Sequence, residues 1–215
     1  MYRTVIFDLD GTLLDTLDDL TDAVNHALSA FGLPLRTKEE VRVFVGNGIA
    51  NLIKRAIGYE YPKFEEVLQE FRVFYGEHCK DKTREYAGIT PLLKELKARG
   101  VKTAVVSNKA DFAVKKLSAE YFPNLLKTAV GENEAAGIAK KPAPDSLLAV
   151  MKQLNAENAT TVYVGDSEVD IQTANNAGVA CISVVWGFKD ERFLKENGAK
   201  TLVSAPEEIL GFCEV

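Results

Sequence analysis

Val5-Ile6-Phe7-Asp8-Leu9-Asp10-Gly11-Thr12 decides the fold: an apolar run of strand-forming residues ends on two aspartates and a glycine. Residues two apart on a strand share a face, so Asp8 and Asp10 are expected to project together into one pocket. Buried strand ends are where open α/β proteins build their sites. Two carboxylates forced together repel and lose solvent, and a divalent cation is the simplest compensation. The same Asp10-Gly11 pair also reads as a hairpin turn. Against the hairpin, Leu13-Leu14-Asp15-Thr16-Leu17 does not alternate as a returning strand should, and a helical pattern follows.

Outward from that strand, Leu20, Val24, Ala27, Leu28 and Phe31 recur at helical spacing, with Gly32 as a stop and Pro34 beyond it. Helical patterns continue over Lys38 to Val45, Ile49 to Ile57 and Pro62 to Cys79, without a convincing strand. From Thr90-Pro91, which reads as an N-cap and first-turn proline of a helix running to Gly100, the pattern changes. Strands at Lys102 to Ser107, Lys127 to Val130, Thr161 to Gly165 and Ala180 to Val185 then alternate with helices. Those helices are expected at Asp111 to Glu120, Pro144 to Leu154, Glu168 to Ala177, Glu191 to Asn197 and Glu207 to Phe212. Strands separated by helices imply parallel crossovers and a sheet covered on both faces. The expected fold is therefore α/β, a doubly wound, Rossmann-like parallel sheet made of residues 1–15 and 85–215. An all-helical segment, residues 16–84, interrupts it after the first strand, with hinges at Asp15-Thr16 and Tyr86-Ala87-Gly88. A segment leaving from the strand end that carries the aspartates is placed to act as a lid.

Composition narrows the function. The 215 residues hold 26 lysines and arginines against 31 aspartates and glutamates, a net charge of −5, with no basic block to suit nucleic acid. Apolar stretches such as Val179 to Trp186 fall far short of the ~20 residues of a membrane helix. Met1 leads almost directly into the Asp8 strand, so no signal peptide is expected. Cys79, Cys181 and Cys213 are scattered, as free thiols of a cytoplasmic protein would be. His26 and His78 are the only histidines, and both sit in helical patterns. Histidine-ligated zinc and a Ser-His-Asp triad are thus disfavoured, and hydrolytic chemistry here should rest on carboxylates and a hard cation.

Three further polar groups fall at strand ends or in the adjoining loops. Ser107-Asn108 follows Val105-Val106; its serine suits an anion or, taken alone, more readily the N-cap of the next helix. Lys141 stands before Pro142-Ala143-Pro144, which restricts its loop. Gly165-Asp166-Ser167-Glu168-Val169-Asp170 ends the strand Val162-Tyr163-Val164 and places Asp170 one helical turn after Asp166. Acidic residues at a helix start also have an ordinary capping role.

Together these motifs resemble the haloacid dehalogenase-like superfamily over nearly the whole chain. Asp8-Leu9-Asp10-Gly11-Thr12 is similar to its first motif, Ser107-Asn108 to its second, Lys141-Pro142 to its third, and Gly165-Asp166-Ser167 with Asp170 to its fourth. The helical segment resembles the family's type 1 cap. The resemblance implies Asp8 as nucleophile through an aspartyl-phosphate and Asp10 as general acid and base. It also implies Mg²⁺ held by Asp8, the Asp10 carbonyl and Asp166, with Asp170 orienting that set. Phosphate would be gripped by Ser107, Asn108, Lys141 and backbone N–H groups of Leu9, Gly11 and Thr12. Aspartate at position 10 disfavours the dehalogenase and phosphonoacetaldehyde hydrolase branches. Ile49 stands near where sugar-phosphate mutases carry an arginine. Val45-Gly46-Asn47-Gly48-Ile49, Ser107-Asn108-Lys109 and Trp186-Gly187 resemble bacterial phosphoglycolate phosphatases most. The expectation is a Mg²⁺-dependent monoesterase for a small phosphorylated metabolite, 2-phosphoglycolate first, acting as a monomer or small homo-oligomer. Sugar-phosphate phosphatase, pyrophosphatase or phosphomutase is the alternative, and a receiver-like phospho-acceptor or interaction protein is the reading of another class. Lys54 and Arg55 are candidates for a substrate carboxylate or, more simply, a solvated helix face.

Overall fold

The strand that carries the aspartates lies at the centre of the sheet. The computed structural model describes residues 1–132 and 139–214. Six parallel strands form the sheet: β1 (Thr4–Phe7), β4 (Lys102–Ala110), β5 (Thr128–Glu132), β6 (Thr161–Gly165), β7 (Ala180–Val184) and β8 (Leu202–Val203). They run in the order β5-β4-β1-β6-β7-β8. The chain winds from β1 through β4 to β5, then returns to β6 on the other side of β1. Strand order thus reverses at β1, and the crevice at its carboxyl end is where such sheets bind ligands.

Alternation along β1 sends its side chains to two cores. Val5 and Phe7 join a large cluster with Val105, Val164 and residues of helices α5 (Ile89–Ala98) and α6 (Asp111–Tyr121). Ile6 joins a second cluster with Val106, Tyr163 and residues of α7 (Asp145–Gln153) and α8 (Glu168–Ala177). Burial on both faces explains the near-continuous apolar runs in β1 and β6. A short α9 (Glu191–Glu196) and a 3-10 helix at Pro206–Phe212 complete this part; the latter was expected as an α-helix.

The segment between β1 and α5 holds α1 (Leu17–Ala30), α2 (Lys38–Phe44), α3 (Ile49–Ile57) and α4 (Phe64–His78). On α1, Leu17, Leu20, Val24, Ala27 and Leu28 are buried, as the spacing required. Two unanticipated strands, β2 (Leu14–Asp15) and β3 (Arg84–Glu85), pair antiparallel where the chain leaves and returns. Two-residue strands lie below the length at which alternation is readable. The buried Asp19 carboxylate reinforces this neck by accepting the Lys82 N–H at 2.9 Å and the Thr83 N–H at 2.8 Å. Asp10-Gly11 does form a turn: Gly11 N–H donates to the Leu14 carbonyl at 2.9 Å. That turn leads into β2 rather than back along β1.

Two boundaries differ from expectation for physical reasons. Helix α5 starts at Ile89 after Gly88, whose φ of +92° suits a glycine, and the Thr90 hydroxyl donates to Glu85 instead of capping. Strand β4 runs past Ser107 to Ala110, with its register against β5 broken between Val106 and Ala110. Among the described residues, no helix is long and apolar enough to cross a membrane.

Candidate active site

Asp8 follows β1 directly, and its N–H donates to the Val164 carbonyl of β6 at 2.8 Å, which fixes its position between two strand ends. One carboxylate oxygen accepts the Leu9 N–H at 2.7 Å; the other lies 3.1 Å from Lys141 Nζ. The Ser107 side chain lies beside this carboxylate and favours its charged form. Burial pushes the Asp8 carboxyl up to about 6; Lys141 and Ser107 oppose that rise, while Asp170 and Asp10 add to it.

Lys141 is buried and its Nζ also donates to Asp170 Oδ1 at 2.7 Å and to the Tyr163 hydroxyl at 3.0 Å. Burial alone would lower this ammonium, but Asp170 and Asp8 hold it well above the ordinary lysine value. Its backbone is clamped by Asn108, which accepts the Lys141 N–H at 2.7 Å and donates to the Lys141 carbonyl at 2.9 Å. The Asn108 amide reaches the Gly46 carbonyl as well, at 3.2 Å. Asn108, expected on phosphate, is thus engaged in positioning Lys141. The irregular register of β4 turns Ser107, Asn108 and Lys109 out of the ladder toward this site, as bulges beside sites do.

Asp166 follows β6. It accepts the Phe188 N–H at 2.7 Å and lies 3.4 Å from the Thr12 hydroxyl. Gly11, at φ +79°, allows this approach: a Cβ there would sit 2.3 Å from an Asp166 carboxylate oxygen. Asp170 Oδ2 accepts from the Ser167 N–H at 3.0 Å and hydroxyl at 2.6 Å, so it also serves the start of α8. The N–H groups of Gly11 and Thr12 close the turn onto Leu14 and Leu9.

One oxygen from each of Asp8, Asp166 and Asp170 falls within 4.8 Å of the others. Burial, then Asp170 and Asp8, push the Asp166 carboxyl well above its usual range. Crowded, buried carboxylates with a single adjacent lysine form the donor set a hard divalent cation takes. The residues present therefore fit such an ion. The Asp10 side chain stands apart from this cluster. It accepts the Thr16 hydroxyl at 2.8 Å and Lys109 Nζ at 2.9 and 3.1 Å. Thr16, at the N-cap of α1, consequently makes no side-chain cap.

Lys109 is the site residue that sequence reasoning missed. Its buried ammonium contacts Asp10 and the Tyr75 hydroxyl of α4, which ties the sheet to the helical segment. Its place one residue past Asn108 was the available signal. A lysine beside a strand end ordinarily reads as solvated, whereas this one is buried between Asp10 and Tyr75 of the helical segment. The opposite wall of the cavity comes from the helical segment, including Val45, Ile49, Leu52 and Phe71. Arg42 of α2 crosses to the sheet, donating to the carbonyls of Phe188 at 2.7 Å and Gly187 at 2.8 Å. Lys54 and Arg55 do not line this cavity; Arg55 donates to the Phe44 carbonyl at 2.8 Å.

Comparison with known proteins agrees with this geometry. The family model for haloacid dehalogenase-like hydrolases matches residues 5–184. The chain is similar to "Phosphoglycolate phosphatase 1" of Pseudomonas aeruginosa, at 36% identity over 94% of this chain and 75% of that protein. It is 33% identical to the phosphoglycolate phosphatase of Haemophilus influenzae, covering 87% of each. Among solved structures, a Lactobacillus delbrueckii subsp. bulgaricus protein provisionally assigned as a phosphoglycolate phosphatase superposes with a TM-score of 0.92. It is 38% identical and covers 97% of this chain and 96% of its own. With four sequence motifs assembled around one strand end and a family match over most of its length, the chain belongs to the haloacid dehalogenase-like hydrolase family.

Proposed function

We propose that the protein is a divalent-metal-dependent phosphomonoesterase for small anionic phosphate esters, with 2-phosphoglycolate the foremost substrate. The observation that carries this reading is the Asp8 carboxylate, held 3.1 Å from Lys141 Nζ beside the carboxylates of Asp166 and Asp170. The phosphoglycolate assignment is supported by the names of relatives at 32–36% identity.

In the mechanism we propose, an Asp8 carboxylate oxygen attacks phosphorus, the ester P–O bond breaks and an aspartyl-phosphate forms. Asp10 delivers a proton to the departing alkoxide, then takes one from the water that attacks the intermediate, returning Asp8 and releasing phosphate. Lys141, 3.1 Å from Asp8, and Ser107 beside it are positioned to stabilise the phosphoryl oxygens as they transfer. Asn108 acts through Lys141 by fixing its backbone. Asp8, the Asp10 carbonyl and Asp166 would hold Mg²⁺, with Asp170 orienting them, and the ion would neutralise charge on the transferring group. Residues 16–84 act as a cap on a core of 1–15 and 85–215, closing the cavity from the side of Ile49 and Tyr75.

The test is phosphate release from 2-phosphoglycolate and p-nitrophenyl phosphate with and without Mg²⁺. Turnover that needs the metal and is abolished by Asp8→Asn is the expected result. Retention of turnover in Asp8→Asn would refute the assignment.

A further inference from the structure

Three basic side chains line the cavity, Arg72, Lys109 and Lys189, and only Lys109 is buried, its side chain 2% exposed. Its ammonium is fixed from two directions: Asp10 holds it at 2.9 and 3.1 Å, and Tyr75 offers both its hydroxyl and its ring, whose centroid lies 4.6 Å away. Burial, and secondarily Asp10, hold the Tyr75 phenol well above its usual range, so it stays neutral and adds no countercharge. Burying an ion pair is costly, and an apolar pair of the same volume commonly packs as well. A lysine buried at the cavity wall, opposite the apolar side chains of Val45, Ile49, Leu52 and Phe71, therefore points to a ligand.

We propose that Lys109 is the specificity residue that binds a second anionic group of the substrate, a carboxylate within a few bonds of the phosphoester oxygen. The proposal deepens the phosphatase reading and rests on it. Position sets the substrate class. Lys109 contacts Asp10, two residues from the proposed nucleophile, so an anion bound by Lys109 cannot lie far from phosphorus. A phosphorylated 2-hydroxy acid meets that limit, whereas a long sugar phosphate with its second charge at the far end does not. Exchange is also electrostatically mild, because an incoming carboxylate replaces part of the contact that the Asp10 carboxylate now makes. Tyr75 keeps the ammonium in place during the exchange and brings α4 into the recognition. An ammonium has three N–H donors, enough to serve Tyr75, Asp10 and one substrate oxygen together.

The test compares kcat/KM for 2-phosphoglycolate with that for 2-hydroxyethyl phosphate, in which a neutral alcohol replaces the carboxylate, for wild type, Lys109→Met and Lys109→Arg with Mg²⁺. Wild type should favour the carboxylate ester by at least about tenfold, the scale of one charge-assisted hydrogen bond. Lys109→Met should reduce that ratio by about tenfold, chiefly through KM, while Lys109→Arg should retain most of it. A wild-type enzyme that hydrolyses both esters equally well would overturn the inference without any variant, whether or not Lys109→Met folds. Equal proportional losses on both esters in Lys109→Met would overturn it too, since Lys109 would then act only through Asp10. A wild-type protein that hydrolyses neither ester nor p-nitrophenyl phosphate would instead refute the phosphatase reading, and this inference with it.

Discussion

Asp8 is asked to be both buried and anionic, and its surroundings explain how. Burial, the main cause, pushes its carboxyl up to about 6, above the ordinary 3.8. Below pH 3.8 it is protonated whether the chain is folded or not. Between 3.8 and about 6 only the folded protein keeps the proton, so its contribution to stability falls as pH rises and is lost above about 6. A cation that restores compensation should therefore stabilise more once Asp8 is ionised. We predict that the Mg²⁺-induced rise in Tm is small at pH 5 and clearly larger at pH 7.5, measured by thermal unfolding with and without the ion. An equal rise at both values would contradict the linkage. Other site residues serve twice in the same way. Ser107 and Asp170 were ambiguous between cap and site in the sequence, and Asp170 makes contacts of both kinds: it accepts from Ser167 at the start of α8 and from Lys141.

At the scale of elements, the neck between the two strands β2 and β3 governs how the helical segment is carried. Asp19 accepts the N–H groups of Lys82 and Thr83 while only 3% exposed. Asp19→Ala leaves those donors without their acceptor and should cost about 2–3 kcal/mol, on the scale of hydrogen bonds to a charged group. Urea unfolding checks this; a change below about 0.5 kcal/mol, the ordinary size of a surface substitution, would remove Asp19 from the account. The Gly46 to Gly48 loop is the second element with a distinct role, because Gly46 meets Asn108 and the loop lines the cavity. Replacing it should reorder substrates more than it lowers the rate on p-nitrophenyl phosphate, as kcat/KM across a set of phosphate esters would show. Uniform losses would assign the loop a purely structural part. The long elements were legible because helical periodicity and buried strands leave strong patterns: α3, β6 and α8 were placed to the residue. The short β2, β3 and β8 were not, since two residues carry no period.

Across the whole molecule, the proposed function depends on four separated stretches of chain arriving at one strand end. The sequence carried that convergence because three of the motifs end strands of a parallel sheet and Lys141 lies in the loop before α7, and topology gathers strand ends at the reversal around β1. What it did not carry was the inward turn of Lys109 or the crossing of Arg42 from α2 to Gly187 and Phe188. Both depend on contacts between the helical segment and the sheet, which no local pattern encodes. Arg42 reaches the same loop whose Phe188 N–H holds Asp166, so the helical segment and the proposed metal cluster share one support. All of this serves a single chemical claim, the transfer of a phosphoryl group to the carboxylate at the end of β1. Its most direct measurement is rapid-quench trapping of the Mg²⁺-loaded protein during turnover, followed by mass spectrometry of the peptide that contains residues 5–12. The account predicts a transient phosphoryl adduct on Asp8, formed and lost at rates compatible with turnover. Steady hydrolysis with no adduct on that residue would contradict it.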